Sequence, residues 1–362
     1  MDLHFLMGLL GTFVGAALLS VFLIPLARRA GLVDVPDARK SHLAPTPLTG
    51  GIAMFVAFTV GVALAGMLDV THLFIMTGAG LLVVVGMIDD RRHIRVGMRF
   101  LAQAVAAGFL VIGAGVRVDS LGNLFGFGSI ELGLFSIPFS IFAVVGMVNA
   151  INMLDGLDGL AGSVVLVVLA AIVTLGVAAE SDIVMPALIL ATTVLGFLLL
   201  NFRFPGRARA HVFMGDAGSN FLGYCLAWFV IALPQQAPEI VAPIHMIWLV
   251  GFPVADTLTT MWSRLQQGSS PFHPGHDHAH SWLTKAGAGT QMTVVILSMM
   301  SLAYALVGIN GALHGWPPEP TLSYLFVIVL VVMASLSSRV ALVPKRIRRY
   351  IVDRLTKCFG HV

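Results

Sequence analysis

With 362 residues of which 57% are apolar and only 11% charged, a formal net charge of +3 and a mean hydropathy of +0.92, the chain lies far from the soluble average of about 25% charged residues. That composition leaves no room for a separate water-soluble domain, and the two cysteines, Cys225 in an apolar run and Cys358 in a basic stretch, offer neither a disulfide framework nor a thiolate zinc site. The basic residues are scattered over loop ends without interleaved aromatics, so no nucleic-acid partner is expected despite the positive balance.

Cutting the sequence at polar or Gly/Pro-rich breaks leaves eleven apolar runs of spanning length, at 3–25, 48–68, 72–88, 99–115, 132–148, 158–178, 184–200, 218–233, 240–261, 290–309 and 321–341. Connections on one side carry 20 of the 21 Lys and Arg residues, and the other side carries only Arg117. Cytoplasmic connections are enriched in both residues, so the expected fold is an all-α polytopic membrane protein of about 11 transmembrane helices, N-terminus outside (periplasmic) and C-terminus cytoplasmic. Residues 1–341 form the single membrane domain, and 342–362 a basic tail lying on anionic headgroups. The first run follows Asp2 rather than basic residues and precedes no small-residue cleavage site, which reads as a retained anchor. Outer-face acids (Asp69, Asp119, Glu131, Glu180, Asp182, Glu239, Glu319) read as solvated loop charges.

On the inner face polar residues gather in five clusters at the membrane edge, which reads as a site. The first connection, Asp34 to His42 followed by Pro45, Pro47 and Gly50-Gly51, is a shaped loop in which Arg39, Lys40 and His42 supply donors for an anionic ligand, unless it is a plain positive-inside loop. Next come the adjacent carboxylates Asp89 and Asp90. They repel unless a cation or proton intervenes, so they imply a divalent metal or an acid/base role, against loop acids neutralised by Arg91 and Arg92.

The third cluster places Asn149, Asn152, Asp155 and Asp158 at a spacing of three, which on a continuous helix drifts by about 60° per step. A helix ending near Asp155, a turn through Gly156 and Gly159 and a new helix from about Asp158 would let the four converge; helix capping alone would account for the two aspartates but not the two asparagines. The fourth, Phe213-Met214-Gly215-Asp216-Ala217-Gly218-Ser219-Asn220, opens a span. There Asp216 caps the helix, or the free N–H groups of the helix start receive a phosphate or metal-bound anion. In the fifth, His276, His278 and His280 alternate at a spacing of two, so an extended strand would aim them one way. Without thiolates and with carboxylates nearby, phosphate binding by imidazoles is favoured over zinc, and a hard cation such as Mg²⁺ over a soft one.

In this order, over residues 31–281, the clusters resemble the polyprenyl-phosphate N-acetylhexosamine-1-phosphate transferase family, in particular its bacterial branch acting on undecaprenyl phosphate at the start of O-antigen and related glycans. The Asn-x-x-Asn-x-x-Asp-Gly-x-Asp-Gly and Phe-Met-Gly-Asp-x-Gly-Ser elements carry the likeness. The resemblance implies a reaction centre at Asp89 and Asp90, the first a candidate base; a Mg²⁺ ligand in Asp216 with Asn152 as a second, Mn²⁺ being the alternative ion; nucleotide binding by Asp155 and Asp158; stacking of uracil on Phe213; and nucleotide-side contacts from Asn201, Arg207 and Arg209. Asp256 matches an Asp-Thr pair of the family for which the sequence offers no job. One motif departs: relatives carry Asp-Arg-x-His-x-His-His in the last loop, whereas this chain reads Gly275-His276-Asp277-His278-Ala279-His280-Ser281. That leaves the donor sugar open, and the chain also lacks the three consecutive histidines of the peptidoglycan-precursor branch.

The implied reaction is attack of a lipid phosphate oxygen on the sugar-side phosphorus of a UDP-sugar, releasing UMP, with catalysis resting on positioning and charge neutralisation. A covalent phospho-enzyme on Asp89 or Asp90 is the mechanistic alternative. The expected partners are the UDP-sugar, undecaprenyl phosphate and membrane lipid, with a homodimer as an open question of assembly. A rival class, an ion-coupled transporter, predicts carboxylates in mid-span and internal repeats, and the sequence has neither.

Overall fold

The computed structural model describes residues 3–35, 45–204, 206–207, 209–271 and 277–340. Arg39, Lys40, His42, His276 and the basic tail lie outside them. In chain order the described helices are α1 (Leu3–Phe22), α2 (Ile24–Ala30), α3 (Gly50–Leu64), α4 (Val70–Arg92), α5 (Val96–Gly108, continued by a π-helical turn at Phe109–Gly113), α6 (Ser136–Leu154), α7 (Leu160–Ala178), α8 (Val184–Asn201), α9 (Gly215–Gln236), α10 (Pro243–Leu249), α11 (Gly251–Gln266), α12 (Ala279–Lys285), α13 (Thr290–His314) and α14 (Glu319–Val340). Each of the eleven apolar runs is carried by helix.

Seven of these helices are long and apolar enough to cross a membrane, and two bent pairs raise the number to nine. The α1–α2 pair bends by 43° and the α10–α11 pair by 76°. Proline explains where: Pro25 opens α2 and Pro253 lies in the first turn of α11, positions where the missing N–H costs nothing but the preceding helix cannot run on. The apolar part of α3 and that of α14 are shorter than a standard span.

The core is built around α9. Its apolar window is 94% buried, against 28–61% for the other six long helices, and it packs on α6, α4, α3, α10 and α7. Tyr224, Phe221, Phe229 and the free thiol of Cys225 are fully buried along it. The outer helices instead expose large apolar side chains, among them Phe22, Leu64, Phe142 and Val331, as a lipid-facing surface does.

Three of the acids read in the sequence as solvated loop charges have partners. Asp69 accepts the His72 amide and caps α4, Asp119 pairs with Arg117 and accepts from Ser136, and Glu319 accepts the Asn123 amide. At the end of the bundle where α9 begins, a two-stranded ribbon, β1 (Val33–Asp34) antiparallel to β2 (Thr46–Pro47), draws both ends of the first loop under α9. There the Phe213 amide donates to Pro47 and the Gly50 amide to Phe213.

Candidate functional site

Two helices meet almost backbone to backbone at the site. A Cβ on Gly86 of α4 would fall 2.4 Å from the Ala217 nitrogen of α9, a contact only glycine permits. One turn beyond Gly86 this contact sets the paired aspartates at the start of α9, where they take different roles. Asp90 accepts the Asp216 amide through Oδ1 at 2.9 Å, with a longer 3.5 Å contact from the Ala217 amide to Oδ2. The α9 N-terminus is therefore capped by a carboxylate from α4, not by Asp216, and the amides expected to receive a phosphate are already engaged. Asp89, 4% exposed, accepts the Ile94 amide at 2.8 Å and Arg99 Nη1 at 3.1 Å, tying the end of α4 to the first turn of α5. It also lies within hydrogen-bonding reach of Asp216.

The four polar residues around the α6–α7 turn do not all converge. Asn149 turns to α5, donating to Gln103 Oε1 at 2.7 Å. Asn152 donates to Asp216 Oδ1 at 2.7 Å and to Ser219 Oγ at 2.9 Å. After Leu154 the chain makes an inverse γ-turn centred on Asp155 (φ −76°, ψ 56°), closed by the Gly156 amide on the Leu154 carbonyl at 2.8 Å. Burial pushes the half-buried Asp155 carboxyl up to about 8, and the carboxylates of Asp216, Asp158 and Asp90 push the same way. Helix α7 starts at Leu160, two residues later than the sequence suggests, with left-handed Gly159 (φ 83°) before it. Asp158 does not cap it. Its Oδ2 instead receives Arg203 Nε at 2.7 Å and the Ala210 amide at 3.1 Å.

These bonds define how the α8–α9 loop is held. Asn201, 4% exposed, accepts the Gly159 amide at 2.7 Å and donates to the Val212 carbonyl at 2.9 Å, so both ends of its amide shape the loop rather than face a ligand. Phe213 is half-buried beside it. Arg207 donates to the Leu199 carbonyl and lies over the Phe204 ring at 5.3 Å. Arg209 lines a cavity of about 280 Å³ with Val21, Ile24, Arg28, Pro47 and His211, at the C-terminal ends of α1 and α8.

The histidine segment forms the opposite wall. His278 and His280 are not on a strand: His278 precedes α12 with extended backbone and His280 lies in its first turn. Their rings nevertheless stack, 3° from parallel with centroids 5.6 Å apart. Both are buried, at 5% and 8% exposure. A Cβ on Gly156 would fall 2.3 Å from His280 Nε2, so this segment rests directly on the turn that carries Asp155.

Sequence reasoning missed three partners. Arg99 was visible only as a positive-inside charge, although it follows the aspartate pair by one helical break. Gln103 stands out as an amide inside an apolar run. Arg203 carries no local signal, because its partner Asp158 is 45 residues away.

The oxygen donors at this junction, Asp216, Asp90 and the Asn152 carbonyl, are of the kind a hard cation takes, with Arg99 on Asp89 as a compensating charge. Among the described residues no three His, Cys, Asp or Glu side chains are grouped so as to hold a metal ion. Mg²⁺ needs no such group, since it takes one or two carboxylates and leaves the remaining positions to water and substrate phosphates. As placed, Asn152 turns its Nδ2 to Asp216 and orients that carboxylate; as a ligand it would use Oδ1.

Residues 71–234 match the family model described as glycosyl transferase family 4, a stretch that holds both aspartate pairs and the start of α9 but ends before the histidine segment. The chain is 32% identical over 345 residues to the undecaprenyl-phosphate alpha-N-acetylglucosaminyl 1-phosphate transferase of Salmonella typhi, covering 92% of this chain and 93% of that one. It is 31% identical over 325 residues to the enzyme of the same name from Yersinia pestis, at 90% and 89% coverage, and 32% over 305 residues to that of Haemophilus influenzae, at 84% and 86%.

Proposed function

The chain belongs to glycosyl transferase family 4, and from that premise we propose that it transfers N-acetylglucosamine 1-phosphate from UDP-N-acetylglucosamine to undecaprenyl phosphate, releasing UMP. The observation that carries the reading is the packing of four carboxylates, Asp89, Asp90, Asp155 and Asp216, around the junction of α4, α6 and α9 with Arg99 beside them. Such a gathering of carboxylates, Asp89 buried and the other three partly exposed, has a use where a cation and a diphosphate enter together.

Mg²⁺, when bound, neutralises the diphosphate and polarises the phosphorus under attack. Asp216 and Asp90 would hold it, with Asn152 and Ser219 fixing the Asp216 rotamer. A nonbridging oxygen of the lipid phosphate forms a bond to the sugar-side phosphorus, and the bond from that phosphorus to the bridging oxygen breaks, so UMP leaves with the bridging oxygen. If the acceptor arrives as its monoanion, the Asp155 carboxylate takes the proton. The resemblance points to Asp89 for this step, but its oxygens hold Arg99 and the Ile94 amide, whereas Asp155 centres the turn on which His280 rests. Phe213 supports uracil, and Asp158 and Asn201 hold the loop that presents it.

The proposed setting is the bacterial inner membrane, with eleven spans, the N-terminus periplasmic, the C-terminus and site cytoplasmic, and the product entering O-antigen or another envelope polysaccharide. The distribution of Lys and Arg supports the orientation. Incubation of purified protein with UDP-N-acetylglucosamine, undecaprenyl phosphate and Mg²⁺ tests the reading, with UDP-N-acetylgalactosamine and UDP-deoxy-amino sugars as alternative donors. UMP release that needs both the lipid and the cation is expected; none with any donor overturns it.

A further inference from the structure

We infer that Asp256 is a positioning residue for this reaction: by fixing the ring of His278 it sets His280 against the Asp155–Gly156 turn. The inference rests on the transferase reading above and assigns a role to a buried acid that the carboxylate cluster does not use.

Asp256 lies on α11, 4% exposed. Its Oδ2 is 2.8 Å from His278 Nδ1, and its Oδ1 accepts the Ala279 amide at 2.9 Å. One carboxylate thus does two things to the segment that follows. It satisfies a free amide at the start of α12 from a different helix. Because a carboxylate only accepts, it also places the proton of the neutral imidazole on Nδ1 and leaves Nε2 as the acceptor. Thr260 Oγ1, 3.3 Å from the same nitrogen, flanks the contact.

From there the geometry is continuous. The His278 ring stacks on His280 at 5.6 Å, and the His280 ring fills the space a side chain on Gly156 would need. Gly156 adjoins Asp155. A shift or turn of the His278 ring therefore reaches the active-site turn through two rigid rings.

Asp256→Asn separates positioning from simple stapling. The amide keeps an oxygen for Ala279 but offers an N–H to His278 Nδ1, which forces the opposite tautomer. His278→Asn is the complement, because its Nδ2 can still donate to Asp256 while the stacked ring is lost. The measurements are UMP release, thermal melting in detergent and ¹⁵N spectra of histidine-labelled full-length protein.

Asp256→Asn is expected to lower kcat by about 10- to 100-fold, the range seen when a residue orienting a functional histidine is changed, with KM for the lipid and the melting temperature held near wild type. His278→Asn should show the same loss, and the double variant no more than either single. The His278 proton should move from Nδ1 to Nε2 in Asp256→Asn. An unchanged kcat, an unchanged tautomer, or losses that multiply in the double variant would overturn the inference. Should the wild type release no UMP from any UDP-sugar, the transferase reading fails on its own, while the tautomer, read without substrate, still decides whether Asp256 controls His278.

Discussion

Asp90 and Asp216, 126 positions apart in the chain, are joined by a hydrogen bond from the backbone amide of Asp216 to the carboxylate of Asp90 at 2.9 Å. The residue expected to carry the cation is thereby seated on the helix start that its partner caps. Loss of the cap and loss of the charge should separate. Asp90→Ala leaves the first α9 amides unsatisfied and should destabilise the protein by about 1–2 kcal/mol, seen as a lower melting temperature. Asp90→Asn keeps an acceptor and should melt near wild type, yet lose kcat by more than about 100-fold if the charge serves the reaction. Equal activity of the Asp90→Asn variant and the wild type would refute a role for the charge.

Asp216→Asn should abolish turnover and remove any stabilisation of the protein by Mg²⁺, measured as the change in melting temperature on adding the cation. Asn152→Ala should retain some activity, falling by about 10- to 100-fold, since it orients Asp216 rather than replacing it. Near-normal activity of Asp216→Asn would refute the metal assignment.

The raised pKa of Asp155 makes a prediction about pH. Its folded value of about 8 lies above the unfolded value of about 3.9. Between these the folded state binds the extra proton, so stability of the Mg²⁺-free protein should fall as pH rises through that window and level off above about 8. Melting curves from pH 5 to 9 in a chelator should show this slope. Asp155→Asn should make it shallower, leaving what the neighbouring carboxylates contribute, and abolish turnover; a slope unchanged in that variant would mean another group is responsible.

The Asp158–Arg203 pair holds the α8–α9 loop. Asp158→Asn and Arg203→Gln should each raise the donor KM several-fold with little effect on the lipid KM, and the double variant should resemble the singles. The interaction energy from such a cycle is expected at about 0.5–3 kcal/mol. Independent, additive effects would show that the pair does not act as a unit.

Much of this was legible in the sequence, and for identifiable reasons. Helix formation by the eleven apolar runs follows from local hydrophobicity, since a backbone in lipid must satisfy its own hydrogen bonds. The membrane-edge clusters were legible because Asp89, Asp90, Asn152 and Asp216 interrupt those runs where burial is costly without a purpose. What was not legible concerns partners. Asp158 reads as one of four polar residues converging on a pocket, and the structure pairs it with Arg203 of the α8–α9 loop. Asn201 reads as a nucleotide-side contact, and its bonds to the Gly159 amide and the Val212 carbonyl come from segments that its sequence position does not indicate. His278 and His280 read as strand neighbours, and they share a face only because α12 begins between them.

The sequence by itself determined a membrane chain whose polar chemistry sits at one edge, because hydropathy and charge placement are local and additive along the chain. Only the tertiary structure decided which of the edge residues touch. The close approach of Gly86 to Ala217 brings α4 onto α9 and lets Asp90 cap it. The packing of the segment before α12 on α11 brings His278 to Asp256. Both depend on how closely two backbones can pack, a property of pairs of helices distant in sequence that no local spacing encodes.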